Sequence, residues 1–396
     1  MTTHPALPLP LISVTGSPAE WGAAYGDAAR DAIRANVDLY RRRFAAEAGL
    51  DRPEVRAAGA AFRSATTALA PRLAAALDGV AAGAGVPVED VYALNGRSEL
   101  LYGAGRGPAD GRAGTAPPPG GGTAAPDGPD GGCTAVGVLG THTASGRLLL
   151  GQNWDWHPDQ RDATILLHTR DERGHAVLTL AEAGMLAKTG LNAAGVGVCI
   201  NLLGCDRDGL PGDGGASGVP YHVLVRAALE AANLSRALQS VLRLPRNSSI
   251  NMLLGQAGTA GEPAGGELID LEVVPRDAGW LHPDGGVLTH ANHLEAALPV
   301  HDTIKDWGGS SLFRSARARR LLAEAAQAGK VTEDDLAAVF RDHASHPLAI
   351  CRHVDEADAP ADRSETVYSI LLDLDARRFG IAAGPPCRHE YAWLGL

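Results

Sequence analysis

Gly132-Cys133-Thr134-Ala135-Val136-Gly137-Val138-Leu139 marks the point where the chain changes character. Upstream, residues 103–132 read GAGRGPADGRAGTAPPPGGGTAAPDGPDGG, mostly Gly, Pro and Ala without apolar periodicity. Such a segment cannot bury enough apolar surface to offset its ordering entropy, which predicts a mobile loop. Downstream the runs at 134–139, 147–152, 163–169 and 176–180 are short, apolar and bounded by Gly or polar turns, which predicts strands. A cysteine therefore stands where a loop meets the first strand. If the bond before it is cut, Cys133 becomes an N-terminal residue. Its thiol is then the nucleophile and its own α-amine the base, with an ordinary pKa of about 7.7–8.0 against about 10.4 for lysine. The same thiol can make the cut by attacking the Gly132 carbonyl, shifting the acyl group from N to S and leaving a thioester for water. The plainer reading is a buried structural thiol at a strand start.

Working outward, the first hundred residues read as helical. Ser17-Pro18-Ala19-Glu20 is a capping box with Pro at the first helical position. Trp21, Ala24, Ala28, Ile33, Val37 and Tyr40 follow at helical spacing, then an Ala-rich stretch at 55–84 and a third at 88–101 carrying Asn95, Arg97 and Glu99. Beyond the first strands, residues 191–203 predict a hairpin turning at 192–195, and 219–244 a helix. Strands are predicted at 250–254, 267–274 and 286–289, helices at 311–328 and 331–343, and a closing hairpin at 366–374 and 378–383. Antiparallel strands with helices grouped between them define an α+β fold whose sheets are covered by helices.

Composition narrows the function. The 396 residues carry a net charge of −11, which argues against nucleic-acid and anionic-membrane partners. No apolar run reaches membrane-spanning length, and residues 1–16 lack a basic leader followed by an apolar core. The five cysteines include no Cys-x-x-Cys pair, so neither a disulfide framework nor a zinc ribbon is expected, and a cytoplasmic location is. His290 and His293 have no third ligand at matching spacing, so no metal is expected. The Gly-rich loop lacks a Gly-Lys-Ser/Thr ending and is not a phosphate-binding loop.

Cys133-Thr134 followed by Gly151-Gln152-Asn153-Trp154-Asp155-Trp156 resembles the acyl-coenzyme A:6-aminopenicillanate acyltransferase (isopenicillin N acyltransferase) family of N-terminal-nucleophile hydrolases. The resemblance spans nearly the whole chain. Gly16-Ser17-Pro18 with Glu20, Gly22 and Gly26, Asn95-Gly96-Arg97-Ser98-Glu99, and Gly190-Leu191-Asn192-Ala193-Ala194-Gly195-Val196 come first. His290-Ala291-Asn292-His293, Ser310-Ser311-Leu312-Phe313-Arg314, Ile350-Cys351-Arg352-His353 and Gly384-Pro385-Pro386-Cys387 follow in the family's order. The resemblance implies a four-layer αββα fold. It implies self-cleavage at Gly132-Cys133 into a helical segment, 1–132, and a catalytic segment, 133–396, which remain associated as one domain. The implied activity is cleavage of a linear C–N amide of a small acylated amine through a Cys133 thioester. Water as acceptor makes an amidohydrolase; coenzyme A or an amine as acceptor makes an acyltransferase. No cofactor is implied, with coenzyme A at most a co-substrate.

Roles carry over residue by residue. Cys133 is the nucleophile. Asp155 matches the acidic position and can hold the Cys133 ammonium, or else is a turn aspartate. Arg314 matches the arginine that forks onto carboxylates, or else shares a solvated face with Arg317, Arg319 and Arg320. The family often has an aspartate-serine pair ahead of that arginine where this chain has Ser310-Ser311, leaving the local hydrogen bonding open. Asn251 resembles an oxyanion-hole donor, or is a structural strand-start residue. Thr134 and Asn292 are further substrate-binding or oxyanion candidates. Cys199, Cys351 and Cys387 read as structural. Two rivals remain: an uncut small-molecule-binding protein, and a papain-like enzyme drawing on His142, His157 or His290.

Overall fold

The computed structural model describes residues 7–103, 132–211, 218–259, 265–306 and 309–396; almost all of the Gly/Pro-rich stretch lies outside the described residues. The chain opens with a strand that the sequence reading passes over, β1 (Leu11–Gly16), which precedes the helices α1 (Pro18–Ala28), α2 (Arg30–Glu47), α3 (Arg52–Leu69), α4 (Pro71–Ala84), α5 (Val88–Asn95) and α6 (Arg97–Gly103). The Ser17 box forms as written: the Glu20 carboxylate accepts from the Ser17 backbone at 2.8 Å and its hydroxyl at 2.6 Å. The Ala-rich 55–84 stretch is two helices. Pro71 has no N–H to continue the ladder, and Ala70 before it leaves helical geometry (φ −142, ψ 61). Helices α1 and α4 touch backbone to backbone. A Cβ at Gly22 would lie 2.2 Å from the Ala76 carbonyl, and one at Gly83 would lie 2.1 Å from that of Ala23. The glycines of this helix pair are thus contact residues, not flexible ones.

The β part begins with β2 (Cys133–Val138), β3 (Leu149–Trp156), β4 (Thr164–Asp171), β5 (Ala176–Glu182), β6 (Gly190–Asn192) and β7 (Val196–Leu202). The predicted 219–244 helix is divided into α7 (Tyr221–Leu229) and α8 (Leu234–Arg243), the latter capped by the Asn233 side chain. Then come β8 (Ile250–Gln256), β9 (Glu267–Val274), β10 (Asp277–Leu281), β11 (Val287–His290), α9 (Ser311–Gln327), α10 (Glu333–Phe340), β12 (Glu365–Asp373), β13 (Arg378–Ala383) and β14 (Ala392–Gly395).

Two sheets result. One has eight strands in the order β1-β4-β5-β6-β7-β8-β9-β10, and the other six in the order β11-β2-β3-β12-β13-β14. All pairings are antiparallel except that of β1 with β4. Strands β2 and β3 pack on β7 across the interface; α9 and α10 cover the outer face of the six-stranded sheet, and α7 and α8 that of the eight-stranded one. This is the four-layer αββα arrangement. Because β2 and β3 are covered on both faces, every residue of each is buried. No described helix is long and apolar enough to cross a membrane.

Candidate active site

Strand β3 (LLGQNWDW) places Gln152, Asn153 and Asp155 in full burial, which is costly unless each is partnered. Asn153 donates to the carbonyls of Phe340 and Ile350 at 2.9 and 2.8 Å. The Gln152 carbonyl accepts from the Ile200 backbone at 3.2 Å and from Thr189. Asp155 Oδ1 accepts from the Thr366 hydroxyl at 2.7 Å, while Oδ2 accepts no hydrogen bond among the described residues and lies 3.9 Å from Arg352 Nε.

Register positions the nucleophile candidate. Cys133 pairs with Trp154 and Thr134 with Asn153, so the Cys133 side chain faces the other sheet with Gln152 and Trp154. The next residue, Thr134, faces α9. The backbone N–H of Asp155 donates to the Gly132 carbonyl at 2.7 Å, which holds the peptide just before Cys133. The Cys133 N–H donates to Asn292 Oδ1 at 2.9 Å. Asn292 is oriented by its own amide on the Leu202 carbonyl (3.0 Å) and its N–H on Ser311 Oγ (2.9 Å).

Arg314 lies at the centre of this ring of contacts, and it is not on the solvated face of α9: it is 2% exposed. Its Nη1 donates to the Cys133 carbonyl (2.5 Å) and Thr134 Oγ1 (2.7 Å), its Nη2 to Asn292 Oδ1 (2.7 Å), and its Nε to Ser310 Oγ (3.1 Å). The Ser310 hydroxyl thus accepts one guanidinium hydrogen bond without adding a negative charge. Arg317, one turn on, pairs with Asp342 instead.

Burial pushes the Asp155 carboxyl up, against the pull of Arg352 and Arg314. Burial also raises the Cys133 thiol, with the Asp155 charge adding to it, while Lys188 and Arg314 oppose. Desolvation brings Arg314 down to about 10, so it stays charged at neutral pH. On the thiol side a small cavity, about 20 Å³ of room for water, is bounded by Cys133, Gln152, Trp154, Lys188, Arg97 and Tyr221. Lys188 Nζ lies 3.7 Å from the Trp154 ring centre and 2.8 Å from Glu182 Oε1, and Arg97 Nε is 3.1 Å from the same oxygen. Arg97, Asn95 and Glu99 form buried ties from the N-terminal helices. Asn95 bonds to the Gly184 carbonyl and the Leu186 N–H, and Glu99 accepts from the Tyr221 N–H at 2.7 Å.

Cys133, Thr134, Asp155, Asn292 and Arg314 are brought together. Asn251 is not: its amide donates to both oxygens of Asp270 at 2.7 Å, and it is absent from the cavity wall. Asp270 belongs to a buried cluster with Glu272 and His290, whose Nε2 lies 2.7 Å from Glu272 Oε1 and 3.7 Å from Asp270 Oδ2. Burial alone would lower His290, yet the two carboxylates raise it from 6.5 to about 9. A raised histidine stabilises the fold fully below its unfolded value and loses that contribution as pH climbs through the folded value. The melting temperature should therefore fall between about pH 6.5 and 9, and His290→Gln should flatten that slope in a pH series of thermal melts. His290 is held by those carboxylates, so the papain-like reading has no partner there. Arg352, Thr366 and Lys188 were missed as site residues; only the Ile350–His353 segment drew attention to one of them.

Residues 141–387 match the family model described as acyl-coenzyme A:6-aminopenicillanic acid acyl-transferase. The chain belongs to this family. A curated relative, the acyl-coenzyme A:6-aminopenicillanic-acid-acyltransferase 40 kDa form of Emericella nidulans, is 25% identical over 379 residues, 95% of this chain and 92% of its own. Among solved structures, penicillin V acylase from Agrobacterium tumefaciens aligns at 12% identity and TM-score 0.42 over 63% of this chain and 83% of its own. A mutant conjugated bile acid hydrolase from Clostridium perfringens aligns at 12% and 0.42 over 63% and 89%. The acyl-transferase family model begins eight residues after Cys133, so the contacts around Cys133 are read from the geometry itself.

Proposed function

We propose that this member of the acyl-transferase family is a self-processing cysteine enzyme that cleaves the C–N amide bond of a small acylated amine. The observation that carries the reading is the convergence of four fixed groups on the Gly132–Cys133 peptide: Asp155 N–H on its carbonyl, Asn292 on its nitrogen, Arg314 on the next carbonyl, and the unbonded Asp155 Oδ2 beside Gly132. Processing starts with Cys133 Sγ attacking the Gly132 carbonyl carbon. The developing oxyanion is already hydrogen-bonded by the Asp155 N–H. The C–N bond breaks, the Cys133 nitrogen takes up a proton, and water hydrolyses the thioester to a Gly132 carboxylate and a free thiol.

The cut converts an amide nitrogen, which cannot act as a base, into an amine. That amine takes the thiol proton for turnover, with Asn292 Oδ1 fixing one N–H and Asp155 stabilising the protonated form. Departure of Gly132 also frees the Asp155 N–H at the place where a substrate acyl carbonyl enters. A thioester on Cys133 follows, and the amine product leaves with the proton. Water completes hydrolysis; a coenzyme A thiol or second amine completes transfer. The chemistry so drawn uses only groups of this chain, the Cys133 amine and the Asp155 N–H among them, and no cofactor. The fragments 1–132 and 133–396 stay together because β1 is paired with β4 and α1–α6 share their core. The five cysteines, all free, fit the cytoplasmic compartment suggested by the sequence.

The test is the intact mass of fresh protein with N-terminal sequencing, followed by acyl amides assayed with and without coenzyme A. Two fragments, the larger beginning Cys133-Thr134, support the reading; the acceptor requirement then separates hydrolase from transferase. One permanent chain without turnover supports the binding-protein rival. Gly132→Ala probes the cut separately. A Cβ there would sit 2.9 Å from Asp155 Oδ2 and 3.4 Å from Arg314 Nη2. Crowding of about 1–2 kcal/mol should slow processing about tenfold in a mass-spectrometric time course, while leaving the mature enzyme, which has lost the small side chain's constraint, at normal turnover.

A further inference from the structure

We propose that His343, Cys351, His353 and Cys387 form a Cys2His2 zinc site that holds Arg352 in place behind Asp155. The sequence reading expected no metal and took both cysteines as structural; the folded chain gathers them. The four ligand atoms all lie within 4.8 Å of one another. His353 Nε2 lies 3.1 Å from His343 Nε2, 3.6 Å from Cys351 Sγ and 3.4 Å from Cys387 Sγ. An imidazole nitrogen has one in-plane proton or one lone pair, so it cannot satisfy three such neighbours by hydrogen bonding. A tetrahedral ion can. Zinc–nitrogen bonds of about 2.0–2.1 Å and zinc–sulfur bonds of about 2.3 Å give tetrahedral edges of roughly 3.3–3.8 Å. The two nitrogen–sulfur separations, 3.6 and 3.4 Å, fall in that range, and the nitrogen–nitrogen one, 3.1 Å, is just short of it.

The donors suit the ion as well as the spacing does, since two thiols and two imidazoles form a closed structural zinc set. Three of them stand on one tightly tied loop, with Cys351 N–H on the Asp342 carbonyl (3.0 Å) and His353 N–H on that of Pro347 (3.0 Å). The fourth, Cys387, comes from the turn after β13, held by Arg388 N–H on the Pro385 carbonyl (2.9 Å). The Asp270, Glu272 and His290 cluster has no such claim, because its histidine and carboxylates already pair with one another. Arg352 sits between two ligands. Its N–H donates to Thr366 Oγ1 (3.0 Å), whose hydroxyl holds Asp155, and its Nη1 to Ser364 Oγ (2.9 Å). Metal binding, which expels the two thiol protons, would cross-link the 343–353 loop to the C-terminal turn and fix that arginine.

The full-length chain, purified without added metal and then titrated with zinc, should hold about one zinc per chain through gel filtration. The Cys133→Ala chain should do the same, which separates this site from the nucleophile and from the reading above. Cobalt(II) in place of zinc should give the visible bands of a tetrahedral ion with a thiolate charge-transfer band. Cys387→Ser and His343→Ala change two exposed residues and should fold normally while zinc drops at least tenfold. No stoichiometric uptake by the unmutated chain overturns the proposal. So does unchanged uptake in both variants, or a Cys351–Cys387 disulfide whose reduction restores no zinc binding.

Discussion

Cys133→Ala should leave one chain of 396 residues and turnover reduced by about four orders of magnitude or more. The first effect follows because the proposed attack on the Gly132 carbonyl is made by the Cys133 thiol, which alanine lacks. The second follows because alanine removes the nucleophile and, by preventing the cut, also withholds the amine that would serve as base. The two losses are one event. The fold should survive, since alanine is smaller than cysteine and the site adjoins a cavity. Cys133→Ser separates the steps: serine can make the analogous N-to-O shift but is a weaker nucleophile, so slow cleavage and poor turnover are expected. Intact mass reads the first effect and an acyl-amide assay the second. Full turnover in the alanine protein would end the mechanism.

Arg314→Ala should be the most damaging change outside the nucleophile. The guanidinium holds the Cys133 carbonyl, Thr134, Asn292 and Ser310 together from a fully buried position. Its loss leaves buried acceptors unpaired and the Asp155 charge with one arginine fewer, for about 3–5 kcal/mol of stability. It also frees Asn292, the group that fixes the Cys133 nitrogen. A displacement of about 1 Å at that point is worth about 10²-fold in rate. Arg314→Lys keeps the charge but cannot reach four partners with a single ammonium, so it should recover part of the melting temperature and little of the processing rate. Chemical denaturation and a processing time course on both variants distinguish these outcomes. Equal processing in Arg314→Lys and the parent would show that charge alone suffices.

The broad architecture was legible because it is written in local patterns. Alternating short apolar runs, the Ser17 capping box and the Gly/Pro-rich composition each act over a few residues, and the structure follows them except where one residue overrides a run. Pro71 splits the Ala-rich stretch, and the break before Asn233 splits the 219–244 helix. Strand β1 escaped notice because six residues at an edge carry little signal until β4 lies beside them.

The site was legible only in part. Cys133 and Asp155 lie on neighbouring strands of one hairpin, so motif and register bring them together. Arg314 and Asn292 stood in recognisable segments, but only the packing of α9 on β2 aims them at the Cys133 peptide. Asn251 stood in an equally recognisable segment and went elsewhere, because its neighbour across β8 and β9 supplies a buried Asp270 that takes its amide. Cys351, Arg352, His353 and Cys387 also stood in recognisable segments, but nothing local says that they meet, and Lys188 and His343 stood in none.

By itself, then, the sequence determined the α+β class, the family and the residue at the junction of loop and strand. These depend on periodicity and short motifs, which are properties of neighbouring residues. The tertiary structure alone decided which amides and cations face the nucleophile and which cysteines and histidines meet. Those depend on side-chain direction and on contacts between segments that are not neighbours in the chain, for which hydrogen-bond satisfaction in a buried interior is the deciding physics.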